Sequence, residues 1–305
     1  MRDYHRKMPA EFLLQWLTNL RSFLNGVQVD GRLMIGSGCS GTDVWGHCLA
    51  ALLRFWESEF GVEVTGVTHA FAAEIATDKQ AFLQSQFDVK VLVSDVDQLK
   101  ELNVMDEQTK TTKVLPWVAT FGAGFACKGN SKQNVNRKQN KGCIRKGLTV
   151  SGKTFEAIRA YIVRTRPHIS FLENVPQIDE KGDCEDTGLA ESDLNYIVDS
   201  FEEECFVVIA ICFSAREFGS AAERQRYYFV VYDIPPQYGD QVKSLFQQIF
   251  GNLKLQQYPV EERFAPVGTS ACPLHPCGGV PSRGAAALFA KTSRADRRDF
   301  AVVCL

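Results

Sequence analysis

Apolar residues fall in two kinds of run along this chain, at helical spacing and in short unbroken stretches, and the two kinds alternate. Over residues 10–25, Phe12, Leu13, Trp16, Leu17, Leu20, Phe23 and Leu24 recur every three or four positions and Gly26 follows as a C-cap, which predicts an amphipathic helix. Residues 32–35 predict a short strand running into Gly36-Ser37-Gly38-Cys39-Ser40-Gly41, after which Thr42 caps a helix carrying Trp45, Leu49, Leu52, Leu53 and Trp56. Strands follow over 64–72, ending near Glu74, and over 89–93, ending at Ser94 and Asp95, with a helix over 78–87 between them. The apolar run 114–121 predicts a buried strand, and Gly122 and Gly124 after it let the backbone turn or approach a ligand without a Cβ clash.

The alternation continues with a helix over 154–164, a strand over 169–172 ending in Glu173-Asn174-Val175-Pro176, and a polar, acidic loop over 182–193. A helix over 194–201, strands over 206–213 and 227–232, and a helix over 242–250 complete a sheet of about seven strands. Strands alternating with helices predict an α/β fold: a Rossmann-like, mixed but mostly parallel sheet flanked by helices. The division expected is an N-terminal helix packing on the core (1–30), a catalytic domain (31–250) and a small irregular C-terminal appendage (251–305), rich in Gly, Ala, Pro and Arg.

Composition changes this picture little. The 305 residues carry a formal net charge of -2, with 45% hydrophobic and 23% charged residues, the balance of a folded globular chain. No apolar run is long enough for a transmembrane helix, so no membrane partner is expected. Ten scattered cysteines and an N-terminus without a cleavable apolar segment point to a reducing, intracellular setting. Cys272, His275 and Cys277 lie close together, but a structural zinc site wants four ligands and no second pair is near, so no metal is expected. Charge distribution says more than its sum. No Asp or Glu occurs between Glu107 and Glu156, a window containing Lys128, Lys132, Arg137, Lys138, Lys141, Arg145, Lys146 and Lys153. Such a basic, Asn- and Gln-rich stretch suits phosphate contacts; a solvated loop or a localisation signal is the plainer alternative.

Strand, glycine loop and helix open a nucleotide-type βαβ unit, shared by binders of dinucleotides, nucleotides and S-adenosylmethionine. Glu74, at the end of the second strand, is placed to accept hydrogen bonds from ribose hydroxyls, and Asp95, at the end of the third, to face an adenine amino group; both also read as solvated loop acids. Cys127, in Phe121-Gly122-Ala123-Gly124-Phe125-Ala126-Cys127, follows a strand end, where ligands bind in open α/β sheets. On its own it reads as well as a small packing residue.

Four stretches in this order resemble the cytosine C5 methyltransferase family. Ser37-Gly38-Cys39-Ser40-Gly41 is similar to its first motif, Phe125-Ala126-Cys127 to its Pro-Cys nucleophile motif, Glu173-Asn174-Val175 to its Glu-Asn-Val motif, and Arg224-Gln225-Arg226 to its Gln-x-Arg-x-Arg motif. The resemblance spans about residues 33–232 and implies a class I S-adenosyl-L-methionine-dependent fold, with the cofactor held by Gly38, Cys39, Ser40, Gly41, Glu74, Asp95 and Phe125. Cys127 would add to C6 of cytosine, Glu173 would hold or share the proton at N3, and Arg226 with Arg224 would anchor O2. The substrate implied is DNA, with the target base flipped out, and RNA is the alternative. For a eukaryotic chain the compartment would be the nucleus. Oligomeric state is unknown at this stage.

The sequence departs from the family pattern at several points. Gly36 stands where the family has an aromatic, Ala126 where it has the proline before the nucleophile, Lys128 where it has a glutamine, and Ala221-Ala222 where it has Pro-Gln. No counterpart of the family's target-recognition segment or of its late glycine-asparagine motif follows Tyr232. These losses support a second class of reading, a catalytically silent methyltransferase-like binding or regulatory protein.

Overall fold

The structure, a computed structural model, describes residues 28–29, 31–61, 66–131, 133–135, 141–147, 149–181, 191–218 and 223–253. The predicted helix over 10–25, the Cys272 cluster and the C-terminal appendage, apart from its first three residues, lie outside them.

The elements in chain order are β1 (Gln28–Val29), β2 (Arg32–Gly38), α1 (Val44–Phe60), β3 (Val67–Ala73), α2 (Thr77–Gln86), β4 (Leu92–Val93), β5 (Asn103–Asp106), β6 (Thr111–Val114), β7 (Thr120–Gly124), α3 (Val150–Thr165), β8 (Ile169–Asn174), α4 (Asp193–Glu202), β9 (Val207–Ser214), β10 (Gln225–Tyr232) and α5 (Gly239–Leu253). The main sheet runs β4-β3-β2-β7-β8-β10-β9, with β1 added antiparallel on β2. Strands β4, β3, β2, β7 and β8 pair in parallel, and β10 runs antiparallel between β8 and β9. The chain builds outward from β2 through β3 to β4 and then crosses back to β7. The strand order therefore reverses between β2 and β7, and a crevice opens at their carboxyl ends.

Residue choice explains the layers. In β3 both faces are covered, and Ala70, Phe71, Ala72 and Ala73 are all fully buried, as a central parallel strand requires. On one face α3 lays Phe155, Ile158, Tyr161 and Ile162, with the Tyr161 ring 5.0 Å from Phe71 and 4.9 Å from Phe121. On the other, α1 covers Leu33 and Ile35 with Leu49, Leu52, Leu53 and Trp56.

Two glycines owe their identity to this packing. A Cβ on Gly36 would lie 2.4 Å from the Phe71 ring, and one on Gly122 would lie 2.4 Å from the Trp45 indole. The close approach at Gly122 is thus made by an α1 side chain and not by a ligand.

The strand expected over 114–121 is corrected. Val114 closes a β5–β6 hairpin that the sequence reading missed, and the buried strand starts only at Thr120. Pro116 between them has no N–H to give a ladder. Gly122 and Gly124 lie inside the strand, and the turn begins after them.

Candidate functional site at the sheet crevice

Cys127 sits on a turn held from several sides. Beyond β7 the Phe125 ring turns into the core, 2% exposed and 5.4 Å from Phe155, so that residue meets its surroundings mainly through packing. Its carbonyl accepts a hydrogen bond from Asn174 Nδ2 at 3.1 Å, and Asn174 is itself fully buried beside Glu173. The Ala126 N–H donates to Thr154 Oγ1 at 3.1 Å, and the Gly129 N–H to Ser151 Oγ at 3.1 Å. Both hydroxyls come from the first turn of α3, whose N-cap is Thr149. The Cys127 carbonyl accepts the N–H groups of Asn130 and Ser131 at 3.1 and 2.9 Å. Cys127 itself is half-buried.

Glu173 lies beside this turn by strand register. In the parallel β7–β8 pair Gly124 is opposite Glu173, and Glu173 Oε2 lies 3.4 Å from where a Gly124 Cβ would be. In the antiparallel pair on the other side Glu173 is opposite Tyr228, so Arg226, two residues away on the same face, reaches it diagonally. Arg226 Nε sits 2.7 Å from Glu173 Oε1, with the two side chains 20% and 33% exposed. Arg224 is exposed just ahead of β10. The structure thus joins Glu173 to Arg226 directly and leaves Arg224 at the margin.

The glycine loop forms the other wall. Cys39 takes a left-handed φ of 50° after β2, and Ser40 Oγ bonds Ser37 Oγ at 2.8 Å and the Ala73 carbonyl at 3.1 Å. The Gly41 N–H donates to Glu74 Oε2 at 2.6 Å, and the Ala76 N–H to Oε1 at 2.9 Å. Burial, then the charges of Glu74 and Asp95, push the Cys39 thiol up to about 12. Cys39 therefore lies among the acids at the ends of β3 and β4, and it stays protonated at neutral pH. Asp95 is exposed and caps the short helix after it through Asp97 N, 2.9 Å away.

A nucleoside cofactor fits this donor set. Glu74 uses one lone pair on each oxygen for backbone N–H groups and keeps another on each for ribose hydroxyls. Next to it Ile75 is 75% exposed, an apolar surface beside the acid. Gly38, at the end of β2, faces the strand pair that opens the crevice.

Sequence reading missed a buried pair under the loop. Asp43, which accepts the Gly46 N–H to cap α1, lies 2.6 Å from His69 Nε2, and that nitrogen is 3.4 Å from Ser37 Oγ. The cap of α1 is thus Asp43 and not Thr42, the residue expected from the sequence. Nothing in the linear pattern marks His69 as its partner.

The basic stretch is only partly free. Lys132, Arg137 and Lys138 lie outside the described residues, and Lys128 and Lys146 are exposed. Lys141 donates to the Lys181 carbonyl at 3.2 Å. Arg145 corrects the picture of an uncompensated window: its guanidinium, 17% exposed, is paired with Glu191 at 2.8 Å. The acids missing from the local sequence arrive through the fold. No helix among the described residues is long and apolar enough to cross a membrane.

A sheet of this order, with the glycine loop, the acids and the Cys127 turn at the ends of its central strands, defines a Rossmann-like domain. The family model described as C-5 cytosine-specific DNA methylase matches residues 58–260, more than half of the chain, and the chain belongs to that family. It is similar to the DNA (cytosine-5-)-methyltransferase DMT5 of Cryptococcus neoformans var. grubii, 28% identical over 149 residues, which cover 48% of this chain and 6% of that relative. Among solved structures, it is similar to the Entamoeba histolytica methyltransferase EhMeth (15% identity, TM-score 0.42, covering 67% of this chain and 54% of that one). It is also similar to the S. pombe Dnmt2 methyltransferase (12% identity, TM-score 0.40, covering 66% and 49%). The chain spans only a small part of the curated relative and about half of each solved structure.

Proposed function

We propose that this chain transfers a methyl group from S-adenosyl-L-methionine to C5 of a cytosine in DNA, through a transient bond between Cys127 and C6. The observation that carries the reading is the Glu173–Arg226 pair, set by register beside the turn that holds Cys127 and across the crevice from the Gly41–Glu74 contact.

C5 of cytosine is a weak nucleophile until something adds to C6. In the proposed step the Cys127 thiolate forms the S–C6 bond, and the ring electrons that it displaces are held at C5 and N3. Glu173 holds the proton at N3 with Oε2, the oxygen that faces Gly124, while Arg226 fixes Oε1 and presents its remaining N–H groups to the base's O2. Gly38, Cys39, Ser40, Gly41, Glu74 and Asp95 would hold the cofactor, which when bound supplies the methyl group from its sulfonium. Loss of the C5 proton and of Cys127 then restores the aromatic ring. A base stacked in a duplex cannot meet a thiol and a sulfonium at once, so the target must be flipped or already unpaired. Lys128 and Lys146, two exposed cations of the basic stretch, would hold phosphates.

The test is a trap. Duplex DNA containing 5-fluorocytosine cannot lose a proton from C5, so with labelled cofactor the protein should form a stable covalent adduct, and Cys127→Ser should not. No adduct with DNA, alongside intact cofactor binding, would overturn the reading. An adduct with RNA alone would move the substrate, and none with either would favour the silent, regulatory protein.

A further inference from the structure

The turn bearing Cys127 is tied to a buried carboxylate that the proposed chemistry does not use. Asp193 opens α4 and is 2% exposed. Its Oδ2 accepts Asn130 Nδ2 at 3.0 Å and the Ile144 N–H at 3.3 Å, and its Oδ1 accepts the Arg145 N–H at 3.1 Å. Asn130, also buried, gives its own N–H to the Cys127 carbonyl at 3.1 Å, and its Oδ1 accepts the Cys143 thiol at 3.5 Å. Two hydrogen bonds and one side chain thus join Cys127 to Asp193. Another two join Asp193 to the far end of the basic stretch.

Burying an ion here is costly, and burial pushes the Asp193 carboxyl above its ordinary value. Three N–H donors and the amino end of α4 offset that cost. A packing role alone would be met by an apolar residue of similar size without desolvating a charge. What the carboxylate adds is convergence: one side chain accepts from both segments that flank residues 131–143. Those segments carry the thiol on one side and Lys146 on the other.

We infer that Asp193 is a positioning residue, holding through Asn130 the turn that presents Cys127 and through Ile144 and Arg145 the base of the adjoining basic stretch, so that thiol and phosphate-binding cations keep one spacing. The inference rests on the cytosine reading for its catalytic consequence, but the tie itself is independent of it. Attack on C6 needs the sulfur within a fraction of an ångström of its productive place. A turn released at Asn130 keeps its cofactor wall and loses that placement.

Two variants and two readouts test this. Asp193→Asn sets an amide N–H₂ against the Asn130 N–H₂, and Asn130→Ala cuts the link on the other side while leaving Asp193 its two backbone donors. Both should slow 5-fluorocytosine adduct formation at saturating cofactor and DNA by about tenfold or more, with cofactor Kd within about twofold of wild type. In both, amide hydrogen exchange at Asn130 and Ser131 should accelerate. The exchanged pair Asn130→Asp with Asp193→Asn restores a donor facing an acceptor and should recover most of the lost rate, which a general loss of stability would not. Wild-type trapping and exchange in both single variants, or a double variant worse than either, overturns the inference. If wild type forms no adduct the cytosine reading fails, and unchanged exchange in the variants would still sink the tie.

Discussion

The Ala126 N–H donates to the hydroxyl of Thr154, 28 residues further along the chain, at 3.1 Å. The family's proline at that position has no N–H to give. Here an alanine keeps the donor and the first turn of α3 supplies the acceptor, while the same hydroxyl serves the Val150 carbonyl at 2.9 Å. Thr154→Val, equal in shape, leaves a part-buried N–H without a partner. It should cost about 1–3 kcal/mol in urea unfolding, and Thr154→Ser much less. In the Thr154→Val background Ala126→Pro should cost less than it does in wild type, since there is no bond left to lose. Equal costs in both backgrounds would show that the bond is not what holds the turn.

Phe71 fills the space that a side chain on Gly36 would need, at 2.4 Å from the ideal Cβ. Restoring the family's aromatic at position 36 should therefore destabilise the protein, by about 3 kcal/mol or more because the core is already full. Gly36→Ala should do so measurably as well. In Phe71→Ala the same Gly36→Ala change should become nearly neutral. Thermal or urea unfolding of the four proteins reads the coupling directly.

Asp106 ties the hairpin to the strand that carries Asp95. Its carboxylate is fully buried and accepts the Leu92 N–H at 3.0 Å and the Thr109 hydroxyl at 2.7 Å, with Lys113 at 2.6 Å. Burial acts to raise its pKa, but Lys113 and these hydrogen bonds together hold it well below the ordinary 3.8. A depressed folded pKa gives stability that is full above the unfolded value and is lost as pH falls toward the folded one. Unfolding free energy should thus decline as pH drops below about 4. Asp106→Asn should start less stable, by about 3 kcal/mol, because Lys113 is left beside an uncharged group. It should also show a shallower acid slope. A parallel slope in the variant would remove Asp106 from the explanation.

Cys39 should be unreactive in the folded protein. With its thiol pushed up to about 12 by burial and then by Glu74 and Asp95, Cys39 stays protonated at pH 8 and should resist iodoacetamide until the protein unfolds. Glu74→Gln removes one of those charges and should lower the pH at which Cys39 reacts. Peptide mapping after brief alkylation checks both. Rapid labelling of Cys39 in the folded wild type would contradict the placement of its thiol.

Much of this was visible in the linear pattern, for physical reasons that also mark its limits. The alternation of strands and helices was legible because α1 and α3 carry apolar residues at helical spacing, β8 ends in Glu173-Asn174 and Glu74 directly follows β3. Cys127, Glu173 and Arg226 could be named because short stretches around them resemble family motifs in order, and Glu74 because it follows a predicted strand. What joins them was not legible. Register decides that Arg226 meets Glu173 and that Arg224 does not, and register is a property of paired strands. The boundary at Thr120 was hidden because Val114 and Phe121 flank one apolar run that Pro116 divides. The partners of Ala126, Asn130 and Arg145 lie 28 to 63 residues away. Apart from the β5–β6 hairpin and the start of β7, the main helices and strands fall where the pattern put them, while hydrogen bonds between distant loops had no local signature.

Replacing a ring by a hydrogen bond beside Cys127 makes local stiffness depend on distant assembly. A proline restrains its turn whatever the rest of the chain is doing, whereas the Ala126 turn is restrained only while the amino end of α3 stays docked. Trapping of 5-fluorocytosine, where the proposed chemistry holds, should then fade at a lower urea concentration than the sheet's circular dichroism, so that the turn loosens before the domain unfolds.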